Sequence, residues 1–324
     1  MNPSLPRFAS FLSLLAFVML PSSAKAWGRG HGVITTAAVE VMPKALRLAW
    51  SAPHRSPLGN ETKPIEEWLC TRFCMHPDWV DGPSASGKDI AERMRSTAFV
   101  YAEKDGAPTR AVAYTDPQRD PKGPRPWTYH YFTRSEKVNR AFAEAGARWY
   151  FTKISETFSA GDFVAAAEYG GAFAHAIEDR VSPYHVWDGF EKEREALEDS
   201  MSAEGLQKPE ASRGGNPKNA SLFWNVDGPQ MKPDMAGYQP VALGKTIEEA
   251  TAAFTERMHE ARASAKTIYS DRNGFLAAHL AEDWKARTAS AETTLHLNKV
   301  GTHNARLLAD VLFTAWMLSG KAAK

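Results

Sequence analysis

The 324-residue chain has only two cysteines, Cys70 and Cys74. That scarcity excludes a small fold stapled by several disulfides. It also argues against a zinc site built on these cysteines, because no second pair exists. Long apolar runs are scarce too. The run "FLSLLAFVML" (residues 11–20) falls short of the roughly 20 residues that span a bilayer. Charge of one sign is lacking: the formal net charge is +1. The total therefore carries no strong attraction to nucleic acid or an anionic membrane surface. Runs of alternating β-branched residues are missing, so strand signals are weak, and no internal repeat points to a solenoid.

What is present begins with an export signal. Arg7 precedes the apolar run, and "AKA" (residues 24–26) sets small residues at a cleavage position. Cleavage after Ala26 leaves 298 residues. It removes two basic residues and no acidic one, so +1 becomes −1. The expectation is a secreted or periplasmic protein, 1–26 being the signal peptide and 27–324 the mature domain without a transmembrane segment. An oxidising compartment favours a disulfide between Cys70 and Cys74, whose four-residue spacing is awkward inside a helix and feasible at a helix end; the alternative is two unpaired thiols.

Helical periodicity dominates the mature chain. Val33, Ala37, Val41 and Leu46 recur at near-helical spacing, as do Val138, Phe142, Trp149 and Ile154. "DFVAAAEYGGAFAHAIEDRV" opens on Asp162 as an N-cap and stops before Pro183. Ile247, Phe254, Met258, Ala261, Ala265 and Ile268 mark another helix. Leu307, Leu308, Val311, Leu312 and Ala315 mark a closing one that ends at Gly320. Two Pro/Gly-rich tracts, 104–128 and 205–240, read as long loops. The fold class expected is all-α, one domain of several packed helices with long loops.

Chemistry concentrates in "FAHAIEDRVSPYH" (residues 173–185). His175 and Asp179 are four apart, which sets an imidazole and a carboxylate on one helix face. Pro183 then breaks the helix and His185 follows. An ordinary helix ion pair is the plain alternative. Upstream, "HPDWVDG" offers His76, Asp78 and Asp81 in a turn-like setting, and "WTYHYF" offers His130 among aromatics. A set of His and carboxylates without cysteine suits zinc in a hydrolytic site.

In this order the motifs resemble those of the zinc-dependent phospholipase C and single-strand-specific zinc nuclease superfamily, whose members are exported and mainly helical. The matching residues are Trp27 and His31, Asp78 with Trp79, His130, His175 with Asp179, and Pro183 with His185. The resemblance is strongest over residues 140–195. It implies a cluster of up to three zinc ions. Trp27 would bind through its α-amino group, freed by cleavage, and its carbonyl, together with His31 and Asp179. Asp78, His130, His175 and a bridging Asp179 would hold a second ion. His185 would hold a third with a further His and acid, four apart. The chain departs from the family there, because no histidine lies between His185 and His259. Glu191 and Glu195 are the favoured substitutes. Phe223 with Asp227, which keeps only the acid, and His279 with Asp283 are the others.

The resemblance implies a zinc-dependent phosphoric diester hydrolase of phospholipase C type, with Asp78 orienting or deprotonating the attacking water. Its substrate is a phospholipid or another phosphodiester. Two further readings stand beside it. One is a nuclease on single-stranded nucleic acid. The other is a zinc-binding envelope protein without catalysis, motivated by the missing histidine.

Overall fold

The computed structural model describes residues 30–55, 61–75, 77, 101–102, 108–110, 140–183, 185–187, 191–203, 231–280 and 290–321. Trp27, Asp78 and His130 lie outside them. Among the described residues the chain is mostly helical. In order it runs α1 (Gly30–Glu40), α2 (Lys44–Trp50), β1 (Pro53–Arg55), β2 (Thr62–Pro64) and α3 (Ile65–Thr71). A 3-10 turn (Phe73–Met75), β3 (Tyr101–Ala102) and β4 (Pro108–Arg110) follow. The remaining helices are α4 (Arg140–Ala160), α5 (Phe163–Arg180), α6 (Glu191–Ala203), α7 (Ile247–Tyr269), α8 (Phe275–Leu280) and α9 (Ala291–Leu318). The strands form two small antiparallel pairs, β1 with β2 and β3 with β4. β4 falls inside the tract 104–128 that was expected to be loop throughout.

The centre of the molecule is α5. Every residue from Ala165 to Arg180 is buried, as expected of a helix surrounded by others rather than lying on a surface. Asp162 caps it, accepting a hydrogen bond from the Ala165 amide at 3.0 Å. Its many alanines and glycines let α4, α3, α1, α9 and the 3-10 turn all pack against it. Gly171 decides one of these contacts. A Cβ there would come within 2.5 Å of Phe73 backbone and 2.8 Å of the Cys74 amide. The turn carrying Cys74 can therefore sit directly on α5, one helical turn before His175.

α4, α5, α7 and α9 pack on one another around an aromatic core. Phe173 of α5 stacks on Tyr150 at 4.8 Å and meets Phe151 and Phe254 at 5.7 and 5.0 Å. All three phenylalanines are essentially inaccessible, and each contributes about 1.5–3 kcal/mol by leaving water.

Residues 231–246 lie along α9 without regular structure, in keeping with the loop expected over 205–240. A row of α9 side chains spaced four apart holds this segment. Asn298, Thr302, Asp310 and Thr314 accept from the amides of Lys232, Asp234, Val241 and Leu243 at 2.6–2.9 Å. Arg306, in the same row, donates to the Asp234 carbonyl at 3.0 Å. No helix among the described residues is long and apolar enough to cross a membrane.

The expected Cys70–Cys74 disulfide is absent, and both thiols are free and buried. Cys70 lies in the last turn of α3 and Cys74 in the 3-10 turn after it. Continued helical winding points the Cys74 thiol at the Cys70 carbonyl, to which it donates at 3.3 Å, rather than at the other sulfur.

Candidate metal centre

Three elements converge on one end of α5. α5 itself contributes His175, Glu178 and Asp179. The spacings of three and four residues set the latter two one turn beyond His175. α1 contributes His31 and Thr35, again four apart on one face. The segment after α5 contributes His185. Its course is fixed at several points. Tyr269 of α7 donates to the Val181 carbonyl at 2.9 Å, and Arg262 of α7 donates to the Val186 carbonyl at 3.2 Å. Ser182 accepts the His185 amide on its hydroxyl and the Val186 amide on its carbonyl.

The group is closed to solvent. His31, His175, Glu178 and Asp179 are fully buried, and His185 is 7% exposed. His31 and His175 stack with ring centroids 4.0 Å apart. Each ring is held by its δ-nitrogen. His31 Nδ1 lies 2.8 Å from Glu178 Oε2, and His175 Nδ1 lies 2.7 Å from the Cys74 carbonyl. Both acceptors favour the Nδ1–H form of the ring, which turns Nε2 into the donor atom.

Those ε-nitrogens face one carboxylate. His31 Nε2 is 3.5 Å from Asp179 Oδ1, and His175 Nε2 is 3.2 Å from Asp179 Oδ2. His185 Nε2 is 3.8 Å from the same Oδ2. Asp179 thus presents one oxygen to α1 and the other to the two histidines of its own chain segment, as a bridging carboxylate would. The ligand atoms of His31, His175 and Asp179 lie within 4.8 Å of one another, so the three can hold a metal ion. The chemistry of the set fits a dication. Two carboxylates are buried side by side, and the groups around them are imidazole nitrogens and a hydroxyl. A divalent cation offsets that buried charge. Burial pushes the Glu178 carboxyl up from its ordinary value, and its bond from His31 is the main opposing influence.

Of the residues singled out from sequence, His31, His175, Asp179 and His185 come together. Trp27, Asp78 and His130 lie outside the described residues, as do Phe223, Asp227 and Asp283. Glu191 begins α6 and Glu195 lies one turn later at an exposed position. Glu193, also exposed, pairs with Lys266 of α7. His279 is buried and stacks on Phe275 at 5.3 Å.

Three contributors escaped the sequence reading: Glu178, Thr35 and the Cys74 carbonyl. Thr35 donates to Glu178 Oε1 at 2.7 Å. Glu178 had a legible signal. A carboxylate inside a helix of almost continuous small and apolar residues has no solvated face to occupy, so it must be paired inside. The Cys74 carbonyl had none, since a backbone acceptor is placed by the packing alone.

No protein-family model, curated protein or solved structure matches the chain. The chemistry of the site therefore rests on its own residues.

Proposed function

We propose that the protein is a zinc-dependent phosphoric diester hydrolase resembling the phospholipase C and single-strand nuclease superfamily. One observation carries the proposal. His31 and His175 come from different helices, their δ-nitrogens are tied back, and their ε-nitrogens meet at the two oxygens of Asp179. A chance helix ion pair between His175 and Asp179 has no need of the second stacked imidazole or of its own buried carboxylate.

His31, His175, Asp179 and His185 would hold zinc, with Trp27, Asp78 and His130 completing the set by resemblance. Bound zinc would stabilise the charge that a phosphodiester develops on cleavage and lower the pKa of a bound water. The chain's own residues do the rest. Asp179 spans the donor groups and fixes their separation. Glu178 and the Cys74 carbonyl keep the rings oriented. The packing around α5 excludes water from the far side of the ligands. Asp78 would orient or deprotonate the attacking water, by resemblance. The exposed position of Glu195 gives the favoured glutamate pair no support, and of the ligands named for a third ion His185 is the one that lies beside Asp179.

The test is a metal count on the chain that begins at Trp27, together with hydrolysis of a phosphocholine ester and of single-stranded DNA. Bound zinc with ester turnover supports the phospholipase reading, and DNA turnover transfers the assignment to the nuclease branch. Bound zinc with neither activity gives a zinc-binding protein without catalysis. A chain that binds no zinc refutes the proposal.

A further inference from the structure

We infer that Glu178, anchored by Thr35, is a positioning residue that locks His31 in its Nδ1–H tautomer and so keeps Nε2 aimed at Asp179. The inference deepens the metal-centre reading and rests on it, but its first readout needs no metal.

The geometry is closed on both sides of the carboxylate. Thr35 donates to Oε1 at 2.7 Å, and His31 Nδ1 meets Oε2 at 2.8 Å. All three side chains are fully buried. A carboxylate has only acceptors to offer. With one oxygen held by a hydroxyl donor, the other presents an acceptor to the ring, and the ring answers with N–H at that position. Thr35 lies one turn beyond His31 on α1, so the same helix face presents both donors to Glu178.

The second histidine supplies an internal comparison. His175 Nδ1 is oriented by a backbone carbonyl, at 2.7 Å. A carboxylate is the stronger partner, because a charge-assisted hydrogen bond polarises the ring more than a neutral one does. The two stacked imidazoles are thus held by acceptors of unequal strength. Glu178 meets His31 at Nδ1, whereas Asp179 faces its Nε2. Glu178 acts through His31, which distinguishes it from a ligand.

The experiment compares the wild-type mature chain with Glu178→Gln, Glu178→Ala and Thr35→Val. Long-range proton–nitrogen NMR of the metal-free proteins reads the imidazole tautomers. Competition with a chromophoric chelator reads Zn²⁺ affinity. The wild type is expected to show His31 protonated at Nδ1. Glu178→Ala should lose that fixed tautomer and about 10- to 100-fold in Zn²⁺ affinity. Glu178→Gln keeps a neutral acceptor, so it should keep the tautomer with a smaller loss. Thr35→Val, nearly isosteric, should fall between them and keeps the test alive if Glu178→Ala fails to fold. The inference is overturned if wild-type His31 carries its proton on Nε2. It is equally overturned if Glu178→Ala and Thr35→Val, folded by circular dichroism, leave tautomer and affinity unchanged. If the wild type binds no Zn²⁺ the metal reading falls, and the tautomer measurement still decides the role of Glu178.

Discussion

Cys70 and Cys74 carry a measurable consequence at the scale of single residues. Burial pushes the Cys70 thiol up to about 12 and the Cys74 thiol well above its ordinary value. The reactive form is the thiolate, so neither should react quickly at pH 8 in the folded protein. A thiol-counting reagent added without reductant should find none fast in the native state and two after denaturation. A count of zero in denaturant would restore the expected disulfide. That expectation came from compartment and distance along the chain, and both leave the direction of the sulfur open. The metal-centre residues divide in the same way. His175 and Asp179 were legible because helical spacing alone sets them together. His31 was legible only through resemblance, since nothing local joins α1 to α5. Glu178 was overshadowed by the more conspicuous Asp179 beside it, although the small, apolar residues of its helix already left it no solvated face.

Among the elements, α5 couples packing to chemistry. Gly171 lets the 3-10 turn approach, and the same turn delivers the Cys74 carbonyl to His175. Gly171→Ala should therefore do two things. Its Cβ would press on backbone atoms that cannot swing aside, at a cost of about 1–3 kcal/mol. By lifting the turn it should also weaken Zn²⁺ binding, although residue 171 is no ligand. Gly301→Ala is the control: its Cβ would meet mainly the Met231 side chain, which can move. Denaturant midpoints and Zn²⁺ titrations on both variants check the contrast. Equal metal affinity in wild type and Gly171→Ala would uncouple the turn from the site. The helices themselves were largely legible, with α5, α7 and the end of α9 falling where periodicity, the Asp162 cap and Gly320 set them. The course of residues 231–246 was not. An extended segment gains its order from the row Asn298, Thr302, Arg306, Asp310 and Thr314, and that row becomes meaningful only once its partner is known.

At the scale of the whole molecule, ionisation of buried phenols sets an alkaline limit. Burial is the first cause at each of four tyrosines. It raises Tyr169 to about 12 and pushes Tyr150, Tyr238 and Tyr269 up as well. Their folded values exceed the unfolded value near 10, so the unfolded chain loses protons first as pH rises. The stability they contribute is complete below about pH 10 and is lost as pH climbs through the folded values. The urea midpoint should hold steady between pH 7 and 9 and fall above pH 10. Absorbance at 295 nm should show these phenols ionising only as the chain unfolds. A midpoint that is flat to pH 11 would contradict this.

Metal bound at the proposed centre should also add stability. Binding to the folded state alone adds about 2.7 kcal/mol when free metal is a hundredfold above its dissociation constant. The most direct measurement is the zinc content of the purified mature chain beside Asp179→Asn and His175→Ala, by elemental analysis after gel filtration, with the melting temperature of each before and after chelation. The wild type should retain at least one zinc per chain and melt lower once chelated, while both variants lose most of that zinc and the chelator shift with it. A wild type that retains no zinc, or variants that retain as much as the wild type, would contradict the assignment of His31, His175 and Asp179 as a metal centre.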